Sequence, residues 1–397
     1  MMRDTVQKTW LVGGLTAFVA LSGCASDSDD PASDGTSSST GAITTGAPST
    51  TNPGSESSGS ASASGTSVGA ESSSGTAGDE TSDPDTSGGP VEPTDPFDFL
   101  CGTPSPDGGE APAPLPAPSG ECPAFVPGVN MFSSSGEARE VIVVAPSDLQ
   151  PDEQLPVAFL WHWLGGSADD FVEVADVQNA VDQFRFLALV TIDKGDLLFR
   201  WPFTTVDSDA RVQEEFVYFD DLLACAAESY PIDNTCVTSV GVSAGALFTS
   251  QLGWARSEYL SSIISLSGGT GGLVREWGGA EHILPAMVLW GGPEDFCVAV
   301  DFAETSADLE SNLEAGGHAV IECEHNCGHA APPFEAPDRD TTVYAAMWRF
   351  FLDHPYWLEP GETPWGGDQP TFAPEWCSVG VGSSTPREGE CPDGPGC

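Results

Sequence analysis

Between about Cys122 and Pro355 the chain alternates short apolar runs, several of them continuously apolar, with segments of helical period, and this alternation narrows the possible folds more than any other feature. A strand that is apolar at every residue is buried on both faces, as in a parallel sheet covered by helices on each side. The runs are Glu140 to Val144, Pro156 to Trp161, Phe186 to Ile192, Thr235 to Val242, Ser262 to Leu266, Ala286 to Trp290 and Ala319 to Cys323. Helical patterns lie at Asp209 to Glu228, where Phe216, Phe219, Leu222, Leu223 and Ala226 share a face, and at Ala244 to Ser257, Asp301 to Glu314 and Thr341 to His354. The expectation is an α/β domain with a mostly parallel central sheet and helices on both faces.

The flanks have a different texture. Arg3 and Lys8 precede an apolar stretch from Trp10 to Leu21, too short to span a membrane comfortably, so residues 1 to 23 read as an export signal. Leu21-Ser22-Gly23-Cys24 resembles the lipobox of bacterial lipoproteins. That resemblance implies cleavage before Cys24, lipidation of Cys24 and, with Ala25 next, an outer-membrane or surface location. Residues 24 to 96 are Ser, Gly, Thr, Ala and Asp with almost no large apolar side chain. Burial cannot offset the entropy of ordering them, and a disordered tether is expected. A Pro-rich, Cys-containing connector spans 97 to 121, the folded domain 122 to 355, and a Cys-containing tail expected to be irregular 356 to 397.

Sixty acidic residues against twelve basic ones give a net charge of -48, and Lys8 and Lys194 are the two lysines. Nucleic acid and anionic lipid both need a basic patch, so neither is an expected partner of the protein surface. No Walker-type phosphate loop is present, and a serine-lysine dyad could draw only on Lys194 once the signal is removed. Eleven cysteines less Cys24 leave ten, an even number that points to disulfides in an exported chain. Cys225 with Cys236 and Cys101 with Cys122 are reasonable local pairs.

Ser243 stands in Gly241-Val242-Ser243-Ala244-Gly245, between an apolar β-branched run and a small-residue helical run. Glycines two residues either side allow a strand-to-helix turn tight enough to hold a serine hydroxyl above a sheet. The five-residue pattern alone is weak, since Gly65-Thr66-Ser67-Val68-Gly69 in the tether matches it equally well. A serine nucleophile needs a base and an orienting acid. In the α/β-hydrolase arrangement the acid follows a later strand and the histidine a loop after the last strand. Asp295 and His329 hold those positions, with Glu294 and His325 as rivals. His318 precedes its strand, and His354 at a helix end reads as a C-terminal charge partner.

The run Leu160-Trp161-His162-Trp163-Leu164-Gly165-Gly166-Ser167-Ala168-Asp169-Asp170-Phe171 is similar to the oxyanion-loop segment of secreted esterases related to poly(3-hydroxybutyrate) depolymerases and feruloyl or acetylxylan esterases. Trp201-Pro202-Phe203, Tyr230-Pro231-Ile232-Asp233, Gly241 to Gly245, and Gly328-His329 with Pro332 follow in that family's order. The resemblance implies an α/β-hydrolase fold and an ester hydrolase acting on polyester, feruloyl or acetylated polysaccharide esters without a cofactor, here joined to the lipid anchor that the lipobox implies. By the same resemblance Ser243 attacks the carbonyl, His329 moves its proton, Asp295 orients the imidazole, and the backbone of Ala244 helps to bind the oxyanion. The chain departs from the family in carrying Trp163 where glycine follows the histidine, so the second oxyanion donor is open between Trp163 and Leu164. His162 itself reads as a structural residue of that loop.

Cys323-Glu324-His325-Asn326-Cys327-Gly328-His329 offers four soft or imidazole ligands, but paired-ligand spacings are absent and exported cysteines are oxidised. A disulfide from Cys297 to Cys323 or Cys327, joining the loops of Asp295 and His329, is the preferred expectation. Trp161, Trp163, Trp201 and Trp290 serve equally as an aromatic wall at the site or as core. Two further readings stand beside the esterase: a serine peptidase on the same fold, and an inactive surface binding protein, to which Trp163 gives support.

Overall fold

The computed structural model describes residues 98–339, 341–366, 372–392 and 397; the signal, Cys24 and the tether lie outside them. Eleven strands and six helices follow in the order β1 (Gly128–Ser134), β2 (Glu137–Val144), β3 (Leu155–Trp161), α1 (Ala168–Val174), α2 (Val177–Phe184), β4 (Leu187–Thr191), α3 (Asp209–Ser229), β5 (Ile232–Val242), α4 (Ala244–Ala255), β6 (Ser262–Leu266), β7 (Ala286–Trp290), β8 (Phe296–Cys297), β9 (Val300–Asp301), α5 (Phe302–Gly316), β10 (Val320–Glu324), α6 (Ala345–Asp353) and β11 (Cys377–Val379). Nine strands form one sheet in the order β1-β2-β4-β3-β5-β6-β7-β10-β11, and β8 with β9 forms a small hairpin. The sheet is parallel from β4 to β10 and antiparallel at its margins, where β1 pairs β2, β2 pairs β4, and β11 pairs β10.

Period-two alternation assigns each strand residue to one of two cores. In β3, Leu155, Val157, Phe159 and Trp161 join the layer containing Phe216, Phe219 and Leu222 of α3 and Leu247 and Leu252 of α4. Ala158 and Leu160 point to the other layer, with Phe171 of α1, Val181 of α2, and Trp348 and Phe351 of α6. All seven residues of β3 are buried, as expected for a central strand.

The disulfides differ from the expected pairs: they are Cys101–Cys236, Cys122–Cys225, Cys297–Cys397, Cys323–Cys377 and Cys327–Cys391. Cys225 packs in the first core and Cys236 in the second. Cys236 is a residue of β5 whose side chain faces the layer opposite to Cys225, so the two Cβ vectors point apart and a disulfide cannot join them. The same division separates Cys297 from Cys323. The connector's Cys101 and Cys122 at the start of the folded domain each bond to the body instead, and the tail supplies the edge strand β11. Five disulfides mark a chain made for an oxidising, extracytoplasmic compartment.

His354 is not a charged helix cap. It is fully buried, its Nδ1–H donates to Phe350 O at 2.6 Å, and burial lowers its pKa to about 4, so it is neutral at pH 7. Glu310 on α5 shows the opposite effect. Burial, and then the charge of Glu322, push its carboxyl up to about 8 against the pull of the Trp290 indole N–H. The folded chain keeps a proton that the unfolded chain loses near pH 4.5, so this group's contribution to stability falls as pH rises from about 4.5 to about 8. Glu310→Gln should therefore be more stable than wild type by about 4 kcal/mol at pH 8 and close to it at pH 4, read from urea unfolding at both pH values.

Candidate active site

At the end of β5 the chain reverses into α4 through Ser243, whose φ of 54° and ψ of -118° are unusual for an L-residue. Such a conformation costs about 1–3 kcal/mol and persists only where its surroundings enforce it. Here the Ser243 N–H donates to Leu266 O of β6 at 2.8 Å. A Cβ at Gly241 would lie 2.2 Å from Gly245 O, and one at Gly245 would lie 2.1 Å from Trp161 O and 2.8 Å from His162 O. Only glycine at these two places lets the start of α4 press against the end of β3.

The structure brings Ser243, His329 and Asp295 into one hydrogen-bonded line. Ser243 Oγ is 2.8 Å from His329 Nε2, and His329 Nδ1 is 2.7 Å from Asp295 Oδ1. Asp295, in the loop after β7, is fully buried and accepts two further bonds at Oδ2, from Ser267 Oγ–H and Gly291 N–H, both at 2.7 Å. Phe302, the first residue of α5, stacks on the His329 ring with centroids 4.1 Å apart. Ser267 and Phe302 were not singled out from sequence. Ser267 ends the β6 turn with φ 48°, and its position just past a strand was the one available signal.

The rivals lie elsewhere. Glu294 is exposed on a 3₁₀ turn, Gly292–Glu294. His325 is buried against Trp376, its Nδ1 accepts from the Cys327 N–H at 3.2 Å, and burial lowers its pKa to about 4. Cys323 and Cys327 are both in disulfides, which removes the thiolates a zinc site needs. Among the described residues no group of three His, Cys, Asp or Glu side chains could hold a metal ion.

Ser243 and His329 open onto a cavity of about 410 Å³. Trp163, Leu164, Phe171, Val174, Phe199 and Val298 are among its walls, and among the described residues it is lined by no Asp, Glu, Lys or Arg. Of the four tryptophans, Trp161 and Trp201 are core, with no exposed surface, while Trp163 lines the cavity. Its indole lies over Gly166, 2.5 Å from where a Cβ there would stand. Ala244 also lines the cavity and begins α4, so its N–H is one of the first-turn donors without a helical partner.

The tail braces the loop that carries His329. Asn326 Nδ2–H donates to Gly389 O, Arg387 Nη1–H to Asn326 Oδ1, and the Arg387 N–H to Glu324 O, while Cys391 bonds Cys327. Cys397 bonds Cys297 on the β8–β9 hairpin, beyond the loop of Asp295. The expected direct staple between the two loops is absent, and each is fastened to the tail instead.

No protein-family model and no curated protein matches the sequence. Solved structures do. Native pOPH is 17% identical, covers 67% of this chain and 99% of its own, and has a TM-score of 0.52. A serine-to-alanine variant of pOPH in complex with pNPB gives 17%, 67%, 98% and 0.52. This is the α/β-hydrolase fold. A ferulic acid esterase is also similar, at 13% identity over 51% of this chain and 90% of its own, with a TM-score of 0.43. In the α/β-hydrolase fold the serine turn, acid loop and histidine loop all leave the carboxyl edge of the sheet, as the loops after β5, β7 and β10 do here.

Proposed function

We propose that the chain is a serine hydrolase of carboxylic esters with an apolar acyl group, working through an acyl-enzyme. The observation that carries this is the hydrogen-bonded line Ser243–His329–Asp295 opening onto a cavity without charged walls. Ser243 Oγ attacks the ester carbonyl as His329 Nε2 takes its proton, and Asp295 holds the imidazole in the tautomer that leaves Nε2 free. The carbonyl oxygen gains charge and is met by the Ala244 N–H and a donor from the loop after β3. His329 returns the proton to the departing alcohol, and water repeats the sequence to release the acid. No step needs a cofactor.

The walls match an alkyl or aromatic acyl group better than a sugar ring, since a sugar needs polar side chains to meet its hydroxyls. This favours a polyester or feruloyl ester over an acetylated polysaccharide, and offers no support for a peptidase. We place the protein outside the cytoplasm, held to a membrane by lipid on Cys24 alone. The Leu21 to Cys24 motif and the five disulfides support that placement.

A fluorophosphonate probe tests the reading on cells making the protein. The label should map to the Ser243 peptide and travel with the membrane fraction, moving to the soluble fraction in a Cys24→Ala chain. Purified protein should then cleave p-nitrophenyl butyrate and a feruloyl ester faster than acetylated xylan, and leave peptides intact. A label on another residue, or none, counts against the hydrolase.

A further inference from the structure

We propose that the second oxyanion donor is the amide of Leu164, not that of Trp163, and that His162 is the positioning residue that turns it toward Ser243. This rests on Ser243 being the nucleophile, as proposed above. A trans peptide holds its C=O and the following N–H on opposite edges of one plane. Fixing the carbonyl therefore fixes the direction of the next amide, and two consecutive carbonyls in this loop are fixed.

In the His162–Trp163 peptide, the oxygen accepts from Trp201 Nε1–H at 2.8 Å. It also faces α4, 2.8 Å from where a Cβ on Gly245 would stand. The Trp163 N–H on the opposite edge is thus turned away from the helix start that holds Ser243. In the next peptide, the Trp163 oxygen accepts from His162 Nδ1–H at 3.0 Å and from the Gly166 N–H at 3.1 Å. Both donors belong to buried residues. The Leu164 N–H leaves by the other edge, away from the His162 ring and the Gly166 amide, and Leu164 lines the cavity together with Ser243 and Ala244.

The His162 ring is itself held. Nδ1 faces a carbonyl oxygen, an acceptor only, and so carries its proton there, while Nε2 lies 3.2 Å from Asp193 Oδ2. Asp193 is 3.5 Å from Arg200 Nη1 on its other side. Burial pushes the Asp193 carboxyl up, but its neighbours His162, the Gly195 amide and Arg200 outweigh this and keep it below the usual range, so the ring faces a carboxylate. The arrangement also accounts for tryptophan at a position where the resembling esterases have glycine. Position 163 supplies an anchored carbonyl, and its side chain has room over Gly166.

The test replaces one amide at a time by an ester, using the α-hydroxy acid of leucine at 164 or of tryptophan at 163, which removes the N–H and keeps the side chain. With p-nitrophenyl butyrate, the exchange at 164 should lower kcat by about a hundredfold with KM little changed, and by much more than the exchange at 163. His162→Ala should show the same kcat-weighted loss, and His162→Asn, whose Nδ2–H can stand in for Nδ1–H, should recover most of it. Equal losses at 163 and 164, or a greater one at 163, overturn the assignment to Leu164. Equal activity of His162→Ala and His162→Asn overturns the role of His162. A wild type that hydrolyses no ester overturns the hydrolase reading and this inference together, whereas a hydrolysing wild type isolates the inference.

Discussion

Ser243→Ala should lower kcat for ester hydrolysis by about a millionfold while leaving the fold intact. Alanine keeps the Cβ, so the strained turn at φ 54° is no harder to form, and the change removes one hydroxyl and its bond to His329 Nε2. The Leu266 bond to the residue 243 amide and the close approach of Gly245 to β3 do not depend on the hydroxyl. Thermal melting should therefore move by only a few degrees. Matched kcat and melting measurements on wild type and variant check this, and a residual rate within tenfold of wild type would sink Ser243 as nucleophile.

Asp295→Asn should lower kcat by about ten-thousandfold, through the tautomer of His329 and not through charge alone. Two donors, Ser267 Oγ–H and the Gly291 N–H, converge on Oδ2, so the asparagine carbonyl must take that place. Its NH₂ group then faces His329 Nδ1, which becomes the acceptor, and the proton moves to Nε2. A protonated Nε2 cannot take a proton from Ser243. Titration with a fluorophosphonate would show full-length, folded protein reacting as slowly as it turns over ester. A loss of less than tenfold would mean that Asp295 does not set the tautomer.

Much of this site follows from local sequence. The strands buried on both faces announce themselves because almost every residue is apolar or small, and the actual bounds of β3, β6 and β7 lie within a residue of the expected ones. The order of Ser243, Asp295 and His329 is likewise a local matter, each sitting just past such a strand. The edges are less legible. In β1, Val129 and Met131 are exposed while Asn130 and Ser134 share the buried face with Phe132, so apolar character does not mark that face, and Asn130 is satisfied by the carbonyls of Val126 and Gly128. The helices α1 and α2 are only seven and eight residues long, too brief for a helical period to stand out. Disulfide partners were misjudged because proximity in sequence says nothing about which side of a sheet a cysteine occupies. Ser267 was missed since its role exists only once β6 and β7 lie side by side.

The brace on the His329 loop sets an order of events during the chain's production. Cys327 must wait for Cys391, 64 residues later, and Arg387 and Gly389 must also be made before Asn326 has its partners. A newly made chain can close its central sheet while the histidine loop is still unfastened. Completion then depends on meeting an oxidant, which the secretory route supplies and the cytosol withholds. On the reading proposed above, the histidine that would move the proton is therefore fastened in place only once the chain has met an oxidising compartment.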